Sequence, residues 1–199
     1  MARNAALLPL RSLIDGGMAR ETIETHLSHF ECSRDDDVVF FLKNYAIDNE
    51  ILGESRTYFA VDADEYEQGR LEILAFFTLA ISTTDCSSMS NRAKRRSFGE
   101  MPGIARNDHF AGFLLAQIAR CDTYTFDDLD CSELIVEAEE IMGASAERTG
   151  GHIIYLDCKA ALQHYYERQG YAALYFDEEK GLFKMFKCIE PLAFASVER

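Results

Sequence analysis

Residues 153–171 read IIYLDCKAALQHYYERQGY, and this stretch carries the clearest local pattern in the chain. Its beginning, Ile153 to Asp157, is an apolar run of the length and composition of a buried strand. The next segment, Ala160 to Gln169, has helical character and ends at Gly170, a residue type that commonly terminates helices. A buried strand that runs directly into a helix is typical of a mixed α/β sheet.

The segments on either side of residues 153–171 predict further strands of the same sheet. Residues 172–176 and 182–189 read as a closing hairpin around the polar turn 177–181. On the other side, His109 to Ala119 reads as a buried strand. A helix with an apolar stripe should follow it, and the stripe consists of Leu134, Ile135, Ala138, Ile141 and Met142.

The N-terminal half predicts helices followed by a hairpin. Residues 1–17 are poorly patterned and predict a flexible arm or a packing strap, and residues 18–29 predict a short helix. A longer helix is expected from about Val38 to Leu52, with acidic residues at its start and Gly53 as its stop. Residues 57–61 and 71–81 predict an antiparallel pair of strands. The polar stretch 82–108 predicts a loop or short helix that carries specificity.

This order predicts an α/β (α+β) fold, a three-layer mixed sheet with helices on both faces, in a single domain from residue 18 to 199. The C-terminal segment Tyr165 to Tyr171 resembles the last βα unit of the Gcn5-related N-acetyltransferase (GNAT) superfamily, whose helix carries aromatic-Tyr-Glu-x-x-Gly-aromatic. Weaker similarity to phage-borne and toxin-type members extends over roughly Phe30 to Lys187. The resemblance implies an acyl-CoA N-acyltransferase-like fold.

The resemblance also implies a catalytic role for Tyr166. In that superfamily the matching tyrosine lies beside coenzyme A and can reprotonate the departing thiolate. A free phenol has a pKa of about 10 and is therefore protonated at neutral pH. Spacing alone favours Tyr165, Tyr166 and Tyr171 as core aromatics with polar tips, and the resemblance reverses this preference for Tyr166 only.

A cofactor-binding segment is implied at the end of the 109–119 strand. In the superfamily a glycine-rich loop of backbone N–H groups at a helix N-terminus holds the pyrophosphate of acetyl-CoA. The residues that the resemblance places there are Ile118, Ala119, Arg120, Thr125, Phe126, Asp128, Leu129, Asp130 and Cys131. The stretch from Gln117 to Cys131 has no glycine and carries four aspartates, whose charges oppose phosphate binding. Those aspartates can instead cap the following helix, and Arg120 can offset part of their charge.

No general base is identified. His109 stands at a strand end, but a lone histidine there is more often structural, and His152 and His164 are expected at a strand start and on a helix surface. Cys121 and Cys158 follow strands, yet no histidine or cluster of cations near them in sequence would activate a thiol. No metal site is predicted, since the six cysteines form no C-x-x-C pair and residues 35–37 read as a capping cluster.

The formal net charge of −14 argues against general nucleic-acid binding and favours basic small molecules or basic protein segments. The cluster from Arg92 to Arg96 is the strongest positive feature, either a solvated loop or a contact for RNA or for the 3′-phosphate of coenzyme A. The apolar run from Ala5 to Leu10 is too short for a signal peptide or a membrane span, so a cytoplasmic protein with free thiols is expected.

Two functions are consistent with these features. The first is an N-acetyltransferase that moves acetyl from acetyl-CoA to an amine of a small molecule or protein by direct attack. The second is a catalytically inactive GNAT-like protein that binds another macromolecule, which the acidic loop favours. A third hypothesis, a toxin-type acetylation of aminoacyl-tRNA, predicts a basic face that the net charge opposes. A homodimer is possible in either case.

Overall fold

The structure is a computed structural model that describes residues 4–100 and 103–189. In these ranges the strands are β1 (Ala5–Pro9), β2 (Ser55–Asp62), β3 (Ile73–Asp85), β4 (His109–Arg120), β5 (Ile153–Cys158), β6 (Ala172–Asp177) and β7 (Leu182–Cys188). The helices are α1 (Leu10–Asp15), α2 (Arg20–Ser28), α3 (Asp36–Asn44), α4 (Ala46–Leu52), α5 (Ala63–Glu67), α6 (Asn91–Phe98), α7 (Cys131–Thr149) and α8 (Gln163–Arg168). The strand order is β1-β2-β3-β4-β5-β7-β6, with parallel and antiparallel pairs, which confirms the predicted mixed α/β class.

The chain divides into two compact units. The first contains the described residues up to Ile81 together with Leu115–Glu140, and the second contains Ser82–Leu114 together with the described residues from Ile141 onward. In the first unit β1 pairs antiparallel with β2, and β2 pairs antiparallel with β3. Its core is aromatic and aliphatic, with Phe30 packed edge-on against Phe76 at 5.2 Å between ring centroids.

The N-terminal stretch has regular structure from residue 5 onward. β1 forms the edge of the sheet beside β2, and Leu10 and Leu13 of α1 are buried. The sequence predicted an arm here because neither an alternating nor a helical apolar pattern is long enough to be recognised. The division into an arm and a single domain stays a prediction.

The helix predicted over residues 38–52 is two helices. α3 ends at Asn44, and α4 begins at Ala46 after Tyr45, whose φ of −122° departs from helical geometry. The predicted stop is correct, since Gly53 has a left-handed φ of 80°. Apolar residues keep helical spacing on both sides of Tyr45, and this spacing alone does not indicate that the helix is interrupted there.

The second unit is built around a C-terminal hairpin. β7 pairs antiparallel with both β5 and β6, so the last of the described strands lies between the two strands that precede it. A buried cluster covers one part of this unit and includes Phe98, Phe110, Tyr155 and Phe186. The hydroxyl of Tyr155 donates to the main-chain oxygen of Phe110 at 3.2 Å, and burial raises the pKa of this phenol.

The helix of the 82–108 stretch is held by a buried lysine. Lys94 of α6 is 2% exposed, and its Nζ donates to the main-chain oxygen of Asn107 at 2.9 Å and to Asp108 Oδ1 at 2.6 Å. The sequence grouped Lys94 with the surrounding arginines as one cationic patch. That grouping is wrong for Lys94, because one face of α6 packs inward. Among the described helices, none is long and apolar enough to cross a membrane.

Candidate active site

The helix that carries Tyr166 ends in a Schellman motif. The N–H of Gly170 donates to the carbonyl of Glu167 at 3.0 Å, and the N–H of Tyr171 donates to the carbonyl of Tyr166 at 3.1 Å. Gly170 has a φ of 88°, the left-handed geometry that this termination requires. The aromatic, glycine and aromatic positions of the sequence motif therefore have a structural role before any chemistry is considered.

Tyr166 lies between two other tyrosine rings. Its ring meets that of Tyr165 at 5.3 Å and that of Tyr171 at 6.0 Å, both edge to face. The second contact is the apolar contact that accompanies a Schellman motif. The residue is 7% exposed, so its ring is fixed by packing. A phenol fixed in this way can present its Oη in one direction, which is what a proton donor needs.

We predict that Gly170→Ala lowers the free energy of unfolding by about 1 kcal/mol or more, because alanine is strained at a positive φ. An added Cβ would lie 3.5 Å from Lys187 Cε, so steric overlap contributes little. Urea unfolding monitored by circular dichroism measures the loss. Gly143→Ala in α7 is the control, because its Cβ meets nothing within 4 Å and should not destabilise.

The parallel ladder of β4 with β5 is short. β4 has 12 residues, and the ladder consists of the pairs Phe113↔Ile154 and Leu114↔Tyr155. A close approach at Gly112 accompanies it, since a Cβ there would lie 2.5 Å from the main-chain oxygen of Ile153. The sequence predicted both strands but contained no signal for the length of their pairing, which depends on residues about forty positions apart.

Three of the predicted cofactor-binding residues, Ile118, Ala119 and Arg120, form the last part of β4. Ala119 is buried, whereas Ile118 and Arg120 are half-buried. The other six lie in the loop that follows, except Cys131, which is the first residue of α7. The N–H of Cys121 donates to the carbonyl of Leu74, so the start of the loop is tied to β3.

Aspartate carboxylates of the loop accept hydrogen bonds from N–H groups of the loop and of the start of α7. Asp128 Oδ2 accepts from the N–H of Thr125 at 2.7 Å and from its hydroxyl at 2.8 Å. Asp130 Oδ1 accepts from the N–H of Ser132 at 2.9 Å, and the carbonyl of Asp130 accepts from the N–H of Glu133. Asp130 therefore caps α7 in the manner that the sequence analysis allowed.

This arrangement differs from an open anion nest, whose N–H groups point at a ligand. The N–H of Thr125 and the N–H groups of Ser132 and Glu133 already have acceptors within the chain. Phe126, between these groups, exposes 64% of its surface. A pyrophosphate would have to displace the carboxylates of Asp128 and Asp130 to use the same donors.

Two arginines supply positive charge around this loop. Arg120 Nη1 donates to the carbonyl of Leu129 at 2.8 Å, while its buried Nε has no acceptor among the described residues. Arg34 Nη2 donates to the carbonyl of Arg120 at 2.5 Å and pairs with Asp122 Oδ1 at 3.2 Å. The N–H of Ser33 and this guanidinium hold the pKa of Asp122 below its usual value. Arg34 was missed in the sequence, because it lies 86 residues before its contact.

The three histidines considered as general bases lie where a structural or solvated role is expected. His164 is exposed, and its Nδ1 contacts Glu167 Oε2 at 2.7 Å. The Nε2 atom of His152 lies 3.4 Å from the main-chain oxygen of Phe98. His109 is exposed at the start of β4. None of these contacts identifies a general base, so that role remains unassigned.

The thiol of Cys158 is unsuited to nucleophilic chemistry. It is buried, lies 3.2 Å from the sulfur of Met185, and desolvation raises its pKa to about 11. A reactive cysteine needs the opposite shift. Cys121 is also buried, and its Sγ contacts the hydroxyl of Thr123 at 3.6 Å.

No known protein family and no curated protein sequence matches this chain. Solved structures do resemble it. A bacterial toxin superposes with a TM-score of 0.70 at 15% identity, covering 94% of this chain and 92% of its own. AtaT complexed with acetyl-methionyl-tRNAfMet gives 0.65 at 14% identity, covering 90% and 94%. A tyrosine-to-phenylalanine variant of KacT gives 0.63 at 14% identity, covering 92% and 94%.

These similarities extend over nearly the whole of each chain, at identities that report on the fold and not on activity. The resemblance drawn from residues 165–171 is therefore confirmed for the fold. The chain has the fold of the GNAT acetyltransferase toxins AtaT and KacT.

Proposed function

We propose that this protein is an N-acetyltransferase that transfers acetyl from acetyl-CoA to an amine by direct attack. The observation that carries the proposal is Tyr166, held at the end of α8 by the Schellman motif and two ring contacts. The fold supports it, since AtaT has been solved with acetyl-CoA and with an acetylated aminoacyl-tRNA. AtaT and KacT have also been solved as tyrosine-to-phenylalanine variants.

Acetyl-CoA supplies an activated thioester whose sulfur leaves as a thiolate. In our proposal the neutral amine forms a bond to the acetyl carbon as the carbon–sulfur bond breaks, and Tyr166 donates the proton of its Oη to the sulfur. The proton lost by the amine passes to solvent, from which Tyr166 is reprotonated. General acid catalysis of this kind contributes about 10²- to 10⁴-fold to a rate.

Several N–H groups of the loop are already hydrogen-bonded within the chain, so the phosphates of acetyl-CoA need other hydrogen-bond donors. Arg120 offers a half-buried guanidinium, whose buried Nε has no acceptor in the described chain, and Arg34 offers a half-exposed guanidinium beside it. Guanidinium groups bind phosphate through charge-assisted hydrogen bonds. We assign the phosphates of acetyl-CoA to these two side chains, with the main-chain N–H groups of Phe126 and Cys131 contributing further contacts.

Calorimetric titration with acetyl-CoA tests this assignment. We expect wild-type binding that weakens with salt, and an affinity about tenfold lower in Arg120→Ala, since one charge-assisted contact is lost. Arg11→Ala is the matched control, because Arg11 is an exposed cation of the same unit that pairs only locally with Asp15. The absence of heat at millimolar acetyl-CoA in the wild type would refute the enzyme proposal.

A second candidate function is a catalytically inactive protein that binds another macromolecule. The closed loop favours it, because Asp128 and Asp130 occupy the N–H groups that a pyrophosphate would take. The titration separates the two proposals. A protein that binds no acetyl-CoA while retaining its fold would support this second function.

The acceptor class includes nucleic acid as well as small molecules and proteins. The negative net charge of this chain argued against nucleic-acid binding. However, AtaT has been solved with a tRNA and, together with AtaR, with DNA. Here α6 exposes Arg92, Arg95 and Arg96 on a single helix, a local cationic surface within an acidic chain. Net charge is therefore insufficient to exclude an RNA-linked amine. The homodimer and the cytoplasmic location stay predictions.

A further inference from the structure

The side chain of Lys187 joins β7 to the end of α8. Its Nζ donates a hydrogen bond to the main-chain oxygen of Gln169 at 2.9 Å. Gln169 directly follows the last residue of α8, where main-chain oxygens no longer find an N–H group within the helix. A lysine that binds such an oxygen also places a positive charge at the negative end of the helix dipole.

The same ammonium group lies over the ring of Tyr171. The distance from Lys187 Nζ to the ring centroid is 5.5 Å, which is within the range of a cation–π contact. Tyr171 is buried, and its ring meets that of Tyr166 at 6.0 Å. One cation therefore contacts both a main-chain oxygen and an aromatic ring of the turn that ends α8.

The backbone of Lys187 is fixed by the sheet. Lys187 pairs with Ile154 of β5, and the preceding residue, Phe186, pairs with Ala172 at the start of β6. Its side chain is half-buried and passes close to the turn, since a Cβ on Gly170 would lie 3.5 Å from its Cε. A helix of six residues has few hydrogen bonds of its own. Lys187 therefore ties this short helix to strands that are paired independently of it.

We propose that Lys187 is a positioning residue for Tyr166, an inference that rests on the proposed acetyltransferase function. The carbonyl of Tyr166 accepts hydrogen bonds from the N–H groups of Gln169 and Tyr171. The residues that Lys187 contacts are thus the two whose N–H groups bind this carbonyl. Through them Lys187 holds the phenol of Tyr166 in the place where it meets the leaving sulfur. A displacement of about 1 Å at a catalytic group can cost about 100-fold in rate.

Lys187→Met tests this role, because methionine keeps an unbranched apolar side chain and removes the ammonium group. We expect the turnover number of acetyl transfer to fall about tenfold, while KM for acetyl-CoA changes by less than about twofold. Lys187→Arg should keep at least about half of the turnover number, since a guanidinium can donate to Gln169 and lie over the ring of Tyr171. Arg168→Met is the matched control and should change turnover by less than about twofold. Arg168 is an exposed cation of the same helix end, 6.0 Å from the ring centroid of Tyr165.

A double-mutant cycle with Tyr166→Phe separates positioning from general stabilisation. Because Lys187 acts through the Tyr166 hydroxyl, Lys187→Met should change the residual rate of Tyr166→Phe by less than about twofold. Amide hydrogen exchange is a readout that needs no turnover. We expect the N–H groups of Gly170 and Tyr171, which close the turn, to exchange at least about threefold faster in Lys187→Met, with those of β5 unchanged.

Several results would overturn the positioning role. Wild-type turnover in Lys187→Met would remove it and leave the proposed function intact. A loss that persists in the Tyr166→Phe background, or that Lys187→Arg shares in full, would make Lys187 a residue of general stability. Unchanged exchange at Gly170 and Tyr171 would show that the lysine does not hold the turn. A wild type that acetylates no amine would refute the proposed function itself, and the positioning role with it.

Discussion

Tyr166→Phe is expected to lower the turnover number of acetyl transfer at least about 100-fold while changing the affinity for acetyl-CoA by less than about twofold. The substitution removes the Oη proton that we assign to the leaving sulfur. It keeps the ring, and with it the contacts to Tyr165 and Tyr171. The loss should therefore appear in the chemical step and not in cofactor binding.

The measurement is the release of free thiol with an amine acceptor on which the wild-type protein turns over. Small polyamines, basic peptides and aminoacyl-tRNA are the acceptors to compare. Tyr165→Phe is the matched control, since it removes the same hydroxyl from the adjacent residue of the same helix. A comparable loss in both variants, or none in Tyr166→Phe, would contradict the assigned role and leave Tyr166 as a packing residue.

Gly112→Ala is expected to lower the free energy of unfolding by about 3 kcal/mol or more. An added Cβ would lie 2.5 Å from the main-chain oxygen of Ile153 and 2.7 Å from Tyr155 Cε2. Neither group can move easily, because the first is backbone of a paired strand and the second is a fully buried ring. The strand or the ring must shift, and the ladder of β4 with β5 is disturbed.

Urea unfolding measures this loss, and failure to purify folded protein would be its extreme form. Gly143→Ala is again the control, because it adds the same methyl group to a helix in open space and is expected to stabilise by about 0.5–1 kcal/mol. If Gly112→Ala unfolded at the same urea concentration as the wild type, the close approach of these strands would be incorrect. The position would then have no steric requirement for glycine.

Local sequence determined several features of this protein. The helix end at Gly170 follows from residues within five positions of each other, because a left-handed residue and its flanking hydrogen bonds form a self-contained motif. The strands β2, β3, β4 and β5 and the closing hairpin follow from apolar runs bounded by turn residues. The absence of glycine and the presence of four aspartates between Gln117 and Cys131 are likewise plain from the sequence.

Only the tertiary structure decided the rest, because it depends on contacts between residues far apart in the chain. The burial of Lys94, the edge strand β1 and the break at Tyr45 each require knowledge of which face packs inward. The two-pair ladder of β4 with β5 is likewise set by hydrogen bonding between distant segments. Short-range geometry thus specified the central strands and the helix ends at Gly53 and Gly170. Burial and strand pairing, which are long-range, specified the remaining elements and which side chains are available for chemistry.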